Sequence, residues 1–455
     1  MKKRLFCILL KKAVPFALAL LVVQIIISIF NHLLSPYEIN KISTATTTFK
    51  FKKSDEKYRF KYQIYGAIPS FICKENDDDE GPFYSDRPLP VSPVRKIITG
   101  EVESSVLLHL NGQIKEEFGK MFSARIKNEK WFHQIRPIQA SCNFLNSSLF
   151  CVLRLWFNLN LSKSIPNRYQ DSYLVLMEIG ENLQIKQGSL KILGIPVAVN
   201  DINFNGPEDP RLIIVNGSLF IDFNTGQIHQ GIDETVRRLF LWSLPDSRLY
   251  DIEIENYKMN LIEKNWPPLV GDDGKSLFYI YQMLPFTRIL KCQIDNLLSC
   301  HFVAGEPDFS DESVKTRKML LRGGSPFVHY KSDYFLSATH SLQWLARGRI
   351  YASQLTLLNL KTNQIVFVTS PILFETSIQM KMNHSNVDGI LFPFFYARSI
   401  FIERDENSLI LAGGLNDYSS SIIKLKGVTD LLGTLISMIF CQFFFIHFFF
   451  FVTFR

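Results

Sequence analysis

Short apolar runs separated by polar turns dominate this 455-residue chain from residue 97 onward. The runs are about five to eight residues long, and Asn, Gly, Asp and Lys residues separate them. Helical periodicity is almost absent, whereas runs of this length bounded by turn residues are typical of β-strands. The pattern therefore predicts a body that is mostly β-structure.

A polar turn followed by a hydrophobic strand recurs five times within this body. The second residues of the five repeats are Leu149, Leu219, Leu277, Tyr334 and Leu409. They are separated by 70, 58, 57 and 75 residues, and each interval is long enough for one four-stranded sheet. We therefore predict an all-β fold, a five-bladed β-propeller, with a β-sandwich as the alternative. A propeller would bring the inner strands of all blades together around a central ligand pocket.

The two ends of the chain are hydrophobic and are predicted to lie outside the propeller. Residues 13–34 carry no charge, follow a basic segment at 1–12, and are long enough to cross a bilayer. We interpret them as a transmembrane signal anchor with a cytoplasmic N-terminus, and a cleaved signal peptide is the alternative. Residues 35–96 are then a polar stem and 97–427 the propeller domain. The phenylalanine-rich segment 428–455 is a second transmembrane helix, a removed anchor-attachment signal or an incorrectly placed gene end.

Composition and cysteine spacing agree with a folded body in the secretory pathway. Apolar residues make up 47% of the chain, which excludes disorder for most of its length, and part of the net charge of +7 lies before the anchor. Two local disulfides are predicted, one within each hairpin-like pair Cys142/Cys151 and Cys292/Cys300. Four glycosylation sequons begin at Asn146, Asn160, Asn216 and Asn383. No spacing of cysteines and histidines resembles a zinc site, so no metal ligands are assigned.

Three polar blocks interrupt the strand pattern and carry the candidate chemistry. The first, Glu208-Asp209-Pro210-Arg211, combines two carboxylates, a proline and a guanidinium between two strand-like runs. That composition suits a sugar-binding site, although proline chemistry alone makes the same residues an ordinary turn. The other two blocks are Glu263-Lys264-Asn265-Trp266-Pro267-Pro268-Leu269 and Arg322-Gly323-Gly324-Ser325-Pro326.

In this order the three blocks resemble the signature blocks of fungal β-mannosyltransferases, across residues 131–425. More distantly they resemble the inverting β-mannoside phosphorylases, which are five-bladed propellers. The resemblance implies a Golgi enzyme that transfers mannose from GDP-mannose, with inversion, to a mannan or glycolipid acceptor. A β-mannoside phosphorylase and a non-catalytic glycan-binding propeller are the alternatives.

Asp209 matches the catalytic aspartate of the phosphorylases, so the resemblance implies a general base that acts on the acceptor hydroxyl. One carboxylate suffices, because a nucleotide diphosphate leaves without protonation if cations neutralise its phosphates. The phosphorylases carry a phosphate-binding arginine in the strand after the Lys-Asn block. Tyr279–Pro285 offers none, which disfavours inorganic phosphate as a co-substrate.

The remaining candidate residues are predicted to bind substrate. Arg154 is a charge within an apolar strand and is expected to face a wet central pocket. The resemblance assigns Lys264, Asn265 and His340 to donor phosphate, Glu208 and Arg211 to each other or to sugar hydroxyls, and Arg322 to ligand charge. Trp266 is proposed as a stacking platform for a sugar ring, with core packing as the alternative.

Overall fold

The structure is a computed structural model. It describes residues 57–66, 95–122, 135–158, 170–196, 206–228, 235–260, 262–283, 287–295, 298–305, 319–345, 348–369, 372, 394–403, 407–415, 419–428 and 432. The predicted signal anchor lies outside these ranges, and so does the C-terminal segment apart from Val428 and Leu432. No helix in the described ranges is long and apolar enough to span a membrane.

Strands, most of them in antiparallel pairs, make up most of the described chain, which confirms the all-β prediction. In chain order the strands are β1 (Lys57–Gly66), β2 (Arg95–His109), β3 (Ile135–Leu145), β4 (Ser148–Asn158), β5 (Gln170–Ile179), β6 (Lys191–Ile192), β7 (Glu208–Val215), β8 (Ser218–Ile228), β9 (Thr235–Ser243), β10 (Arg248–Ile254), β11 (Pro268–Val270), β12 (Leu277–Gln282), β13 (Arg288–Ile294), β14 (Leu298–Ala304), β15 (Met319–Arg322), β16 (Val328–Lys331), β17 (Tyr334–Leu345), β18 (Gly348–Asn359), β19 (Gln364–Val368), β20 (Phe395–Glu403), β21 (Ser408–Leu415) and β22 (Ser419–Lys426).

Consecutive strands pair into five groups, namely β3–β6, β7–β10, β11–β14, β15–β19 and β20–β22. The second and third groups join into one eight-stranded sheet through parallel pairing of β10 with β14. The fifth group is extended by β2, which pairs antiparallel with β22, and β1 then pairs with β2. An early strand of the chain thus completes the sheet formed by its last strands, and β1 lies within the segment predicted to be a stem.

Five hydrophobic clusters connect these groups to one another. One cluster joins the first group to the second, and the next three join the second to the third, the third to the fourth, and the fourth to the fifth. The remaining cluster joins the fifth group back to the first, through Ile410, Ala412 and Ile422 packed with residues such as Leu149 and Leu153. Burial of apolar surface is the main stabilising contribution in such clusters, so each group is held by two neighbours.

The helix α1 (Leu110–Phe122) follows β2 directly and was not predicted from the sequence. Leu110, Ile114 and Phe118 recur every four residues and are fully buried in the cluster that joins the fifth and first groups. This i, i+4, i+8 spacing is the helical signal that the dominant strand pattern obscured. The expectation of almost no helical periodicity is therefore wrong for this segment.

Both predicted disulfides are present and link neighbouring strands. Cys142 on β3 bonds to Cys151 on β4, and Cys292 on β13 bonds to Cys300 on β14. Each pair is also a directly opposed pair in the strand register. Three of the four cysteines are almost fully buried, so the disulfides lie within the packing of the sheets.

The first strands of three groups share a local irregularity. The pairing register shifts between Ile138 and Ser141 in β3, between Glu208 and Arg211 in β7, and across Arg398 in β20. Bulges of this kind redirect side chains away from the regular alternation of a strand. These three strands also contact one another, with β3 against β7 and β20, and β7 against β20. The irregular positions therefore lie where the groups meet.

Candidate active site

Asp209 lies at the bulge of β7, and two side chains, Arg398 and Asn224, hold its carboxylate. Its backbone φ is 57°, a conformation that is uncommon for residues other than glycine. One carboxylate oxygen forms an ion pair with Nη2 of Arg398 on β20, and the other accepts a hydrogen bond of 3.1 Å from Nδ2 of Asn224 on β8. The side chain is 15% exposed. Its carboxylate is therefore fixed in direction while part of it stays accessible.

The charge of Asp209 is set by opposing effects. Burial raises the pKa of a carboxyl, but Arg398, Lys264 and Arg154 lower it by a larger combined amount, so the pKa of Asp209 lies below its ordinary value. Asp209 is consequently a carboxylate at neutral pH. A group in this state accepts a proton rather than donating one.

Glu208 and Arg154 form a buried ion pair beside Asp209. The Arg154 guanidinium bonds to Glu208 Oε1 at 2.9 Å and to the Ser172 hydroxyl at 2.7 Å, and Arg237 bonds to Glu208 Oε2 at 2.7 Å. Arg154 is 8% exposed. Its charge is therefore balanced by Glu208, and the expectation that it faces a wet pocket is wrong.

Arg211 is part of the internal structure. It is 1% exposed, bonds to Asp222 at 2.8 Å, and donates from Nε to the backbone oxygen of Gly324 at 2.7 Å. Tyr279 donates a further hydrogen bond of 3.2 Å to Asp222. Burial raises the pKa of Asp222 to about 6, while the bonds from Arg211 and Tyr279 act in the opposite direction. The predicted contact of Arg211 with sugar is thus wrong, because its guanidinium connects the first and third sequence blocks.

The Lys-Asn block lies next to Asp209 and is partly exposed. Burial lowers the pKa of Lys264, and the nearby Asp209 carboxylate opposes that change. Asn265 has a φ of 65°, and its side-chain oxygen accepts a hydrogen bond of 3.3 Å from Tyr396 on β20. Lys264 and Asn265 are therefore accessible polar groups beside the candidate base.

Gly323 allows the Lys-Asn block to contact the Gly-Gly block. Its backbone nitrogen donates to the backbone oxygen of Asn265 at 3.2 Å. A Cβ at this position would lie 2.3 Å from Cδ of Pro267 and 2.6 Å from the same backbone oxygen. Real Cβ atoms are essentially never found at such distances. Only glycine therefore fits between the two blocks.

We expect Gly323→Ala to lower the free energy of unfolding by about 1–3 kcal/mol, because backbone atoms of the Lys-Asn block must move to accommodate the methyl group. Chemical denaturation at pH 7 would measure this change. Gly194→Ala is the matched control, since a Cβ there meets no atom within 4 Å. Equal effects of the two substitutions would contradict the steric explanation.

Trp266 is buried and belongs to a hydrophobic cluster. It is 3% exposed and packs against Tyr281, with ring centroids 4.7 Å apart, and against Tyr279 at 6.4 Å. A ring enclosed in this way cannot stack on a sugar. The predicted substrate contact of Trp266 is therefore wrong, and core packing explains the residue.

His340 and Arg322 are opposite each other on β17 and β15. The His340 ring is 3% exposed, and its Nε2 lies 3.3 Å from the Tyr396 hydroxyl. Burial and the charges of Arg398 and Arg322 hold the pKa of His340 well below its ordinary value. His340 is thus neutral at pH 7, whereas Arg322 is partly exposed.

The structure places two further residues at Asp209 that were not predicted from the sequence, namely Arg398 and Asn224. Arg398 is fully buried within the apolar run Phe395–Ile402, so it carries the same signal that singled out Arg154, a charge inside an apolar strand. Asn224 carries no such signal. Its position opposite Glu208 follows only from the pairing of β7 with β8.

Two predicted glycosylation sites lie in exposed turns. Asn146 is in the turn between β3 and β4, and Asn216 is in the turn between β7 and β8. Asn160 and Asn383 lie outside the described ranges. Within those ranges, no group of three or more His, Cys, Asp or Glu residues is arranged to hold a metal ion.

Sequence comparison relates the chain to β-mannosyltransferases. It is 32% identical over 146 residues to β-mannosyltransferase 2 of Komagataella phaffii, covering 30% of this chain and 21% of that protein. It is 30% identical over 200 residues to β-mannosyltransferase 3 of Candida albicans, covering 40% of this chain and 34% of that protein. These matches confirm the resemblance to the fungal β-mannosyltransferases. The chain spans about a fifth to a third of the length of these curated relatives. No protein-family model matches it.

Two solved structures show a more remote similarity. A β-1,2-mannobiose phosphorylase from Listeria innocua is 12% identical with a TM-score of 0.44, covering 68% of this chain and 94% of that chain. A GDP-Man-dependent mannosyltransferase from Leishmania mexicana is 13% identical with a TM-score of 0.41, covering 69% of this chain and 95% of that chain.

Proposed function

We propose that this protein is an inverting β-mannosyltransferase that adds mannose from GDP-mannose to a glycan acceptor. The observation that carries the proposal is the partly exposed Asp209 carboxylate, with Lys264 and Arg322 nearby. The sequence relatives, which are named β-mannosyltransferases, support the reaction class. GDP-mannose as donor and a mannan or glycolipid as acceptor come from the resemblance.

In the proposed reaction Asp209 acts as the general base. It accepts the proton of an acceptor hydroxyl while that oxygen forms a bond to the anomeric carbon of mannose. The bond from that carbon to the phosphate oxygen breaks, and GDP leaves with the electron pair. Lys264 and Arg322 are placed to offset the charge of the departing diphosphate, which then needs no proton donor.

The phosphorylase alternative requires a different protonation state of the same carboxyl group. In the direction of cleavage, Asp209 would have to donate a proton to the glycosidic oxygen. The lowered pKa of Asp209, caused by the cations that outweigh its burial, favours the carboxylate instead. This ionised state agrees with the base role in a transferase.

We also infer that the five strand groups are the blades of a five-bladed propeller. The support is the cyclic order of the hydrophobic clusters, together with the closure of the last group by β2. The Golgi membrane location, with residues 13–34 as anchor and the body in the lumen, is part of the proposal. Its support is the basic and apolar pattern of the N-terminus and the exposed sequons at Asn146 and Asn216.

The proposal is tested by incubating the full chain with GDP-mannose and mannooligosaccharides and analysing the products for β-linked mannose. Parallel reactions with mannose-1-phosphate, or with phosphate and a β-mannoside, test the phosphorylase alternative. A β-linked product from GDP-mannose alone supports the transferase. Phosphate-dependent cleavage without transfer from GDP-mannose would replace it with the phosphorylase, and binding without turnover would indicate a glycan-binding propeller.

Lys264→Met is expected to raise KM for GDP-mannose by about 10-fold or more, because a charge-assisted contact to phosphate contributes about 1.5–3 kcal/mol. Initial-rate kinetics at varied donor concentration would measure this change. Lys361→Met, at an exposed turn, is the matched control. An unchanged KM for the donor in Lys264→Met would remove Lys264 from the donor site.

A further inference from the structure

We propose that Arg398 is a positioning residue that keeps Asp209 ionised and oriented for the proposed transfer reaction. The inference depends on the proposed function for its catalytic consequence, but its structural part stands on the contacts of the two side chains. Arg398 lies 189 residues after Asp209 and belongs to none of the three polar blocks.

The contacts of Arg398 make Asp209 its main counter-charge. Arg398 is fully buried, forms an ion pair with Asp209 through Nη2, and lies with Cζ 4.0 Å from the centroid of the Tyr396 ring. Its Nε and Nη1 have no hydrogen-bond partner in the part of the chain that the structure describes. A buried guanidinium with one carboxylate partner is expensive unless that pair is kept together. Separation of the two side chains would therefore leave an unpaired buried charge.

One hydroxyl group holds the two strands of this pair in register. Ser141 on β3 donates to the backbone oxygen of Arg398 at 2.9 Å and accepts from the backbone nitrogen of Leu212 at 2.9 Å. Ser399 adds a contact by accepting from the backbone nitrogen of Cys142 at 3.0 Å. The bulges of β7 and β20 are thus both fixed against β3, so the guanidinium and the carboxylate are positioned by backbone contacts.

The other cations near Asp209 are already engaged or more distant. Arg154 is paired with Glu208, and Arg211 is paired with Asp222. Arg237 also bonds to Glu208, while His340 is held neutral by burial and neighbouring charge. Lys264 acts on Asp209 through its charge. Arg398 is therefore the cation in direct contact with the carboxylate among the described residues.

Removal of the guanidinium charge should raise the pKa of Asp209. Burial, the largest single effect on the pKa of Asp209, favours the protonated carboxyl group, and only the charges of Lys264, Arg154 and Arg211 then oppose it. In Arg398→Gln the pKa of Asp209 should consequently rise toward neutral pH. The base would be lost in acid and recovered as the pH increases.

The first measurement is the rate of mannosyl transfer between pH 5.5 and pH 8. In Arg398→Gln the rate should be lower by about 10-fold or more at pH 5.5 than at pH 8. Arg398→Lys and the wild type should show no such decrease. Arg248→Gln, at an exposed position, is the matched control. A rate in Arg398→Gln that is reduced equally at every pH would reject the proposal, because a purely structural role predicts that result.

The second measurement is the melting temperature over the same pH range, which does not depend on catalysis. In the wild type, the lowered pKa of Asp209 means that its pair contributes stability above the ordinary carboxyl pKa of 3.8. In Arg398→Gln the folded-state pKa of Asp209 should instead lie above its unfolded value, so the stability of the variant falls as the pH rises. The difference in Tm from the wild type should therefore grow toward pH 8 and become independent of pH in the Asp209→Asn background.

The two measurements separate the inference from the proposed function. If the wild type transfers no mannose, the proposed function fails, and the Tm comparison still decides the role of Arg398. If transfer occurs but the Tm difference is independent of pH, the inference alone fails. If Arg398→Gln does not fold, Arg398→Met repeats both tests. If neither Arg398→Gln nor Arg398→Met folds at pH 8 but both fold near pH 5.5, the proposal is supported. If neither variant folds at either pH, the proposal is contradicted.

Discussion

Asp209→Asn is expected to lower kcat for mannosyl transfer by about a thousandfold, because an amide cannot accept the acceptor's proton. The substitution keeps the size of the side chain and its hydrogen bond with Asn224 remains available after a rotation of the amide. Donor binding should change little, since Lys264 and Arg322 are unaltered. Radiometric or chromatographic assay of product formation gives kcat, and calorimetric titration with GDP gives donor binding.

The change also leaves the buried Arg398 without its carboxylate, so the variant's stability must be measured beside its activity. Asp333→Asn, in an exposed turn, is the matched control and should retain full activity. Loss of activity in Asp209→Asn at a temperature well below its Tm is the supporting result. Full transfer by a folded Asp209→Asn protein would show that another group is the base.

Arg211→Met is expected to lower the free energy of unfolding at pH 7 by about 3–5 kcal/mol, because it leaves Asp222 buried without its ion-pair partner. The backbone oxygen of Gly324 also loses its donor. Chemical denaturation measures this loss, with Arg248→Met as the exposed control. The double variant Arg211→Met/Asp222→Asn should recover part of the stability, since it removes the uncompensated charge.

The pH dependence of this loss has a definite sign. Burial already raises the pKa of Asp222 to about 6 in the native protein, and loss of Arg211 raises it further. A carboxyl whose folded-state pKa exceeds its unfolded value loses stability as the pH rises. The cost of Arg211→Met should therefore be smallest near pH 4 and increase toward pH 7. A cost below about 1 kcal/mol at pH 7 would mean that the Arg211–Asp222 pair is not a structural connection between the blocks.

Three buried arginines, Arg154, Arg211 and Arg398, show which features of the site the sequence does and does not predict. All three are buried charges within strands, and for Arg154 this pattern led to the incorrect expectation of a wet central pocket. It does not indicate which carboxylate each guanidinium pairs with. Arg154 bonds to Glu208, Arg211 to Asp222 and Arg398 to Asp209, because bulges and sheet register set these pairings.

Trp266 illustrates the same limit for an aromatic residue. A tryptophan between polar residues and prolines suits either a stacking platform for a sugar or a core position, and nothing in the sequence distinguishes the two roles. The packing of Tyr279 and Tyr281 against its ring decides for the core. These partners lie on β12, so their proximity depends on how β11 and β12 pair.

The sequence by itself determined the all-β class and the two disulfides, and its resemblance to the fungal β-mannosyltransferases implied Asp209 as the candidate base. These features depend on local information, namely the length of apolar runs, short cysteine spacing and the Glu-Asp-Pro-Arg block. The tertiary structure alone decided that Arg398 contacts Asp209, that Arg211 is structural and that Trp266 is buried. Each of these depends on contacts between distant strands, and a one-residue shift in register would exchange the faces of a strand without changing its sequence.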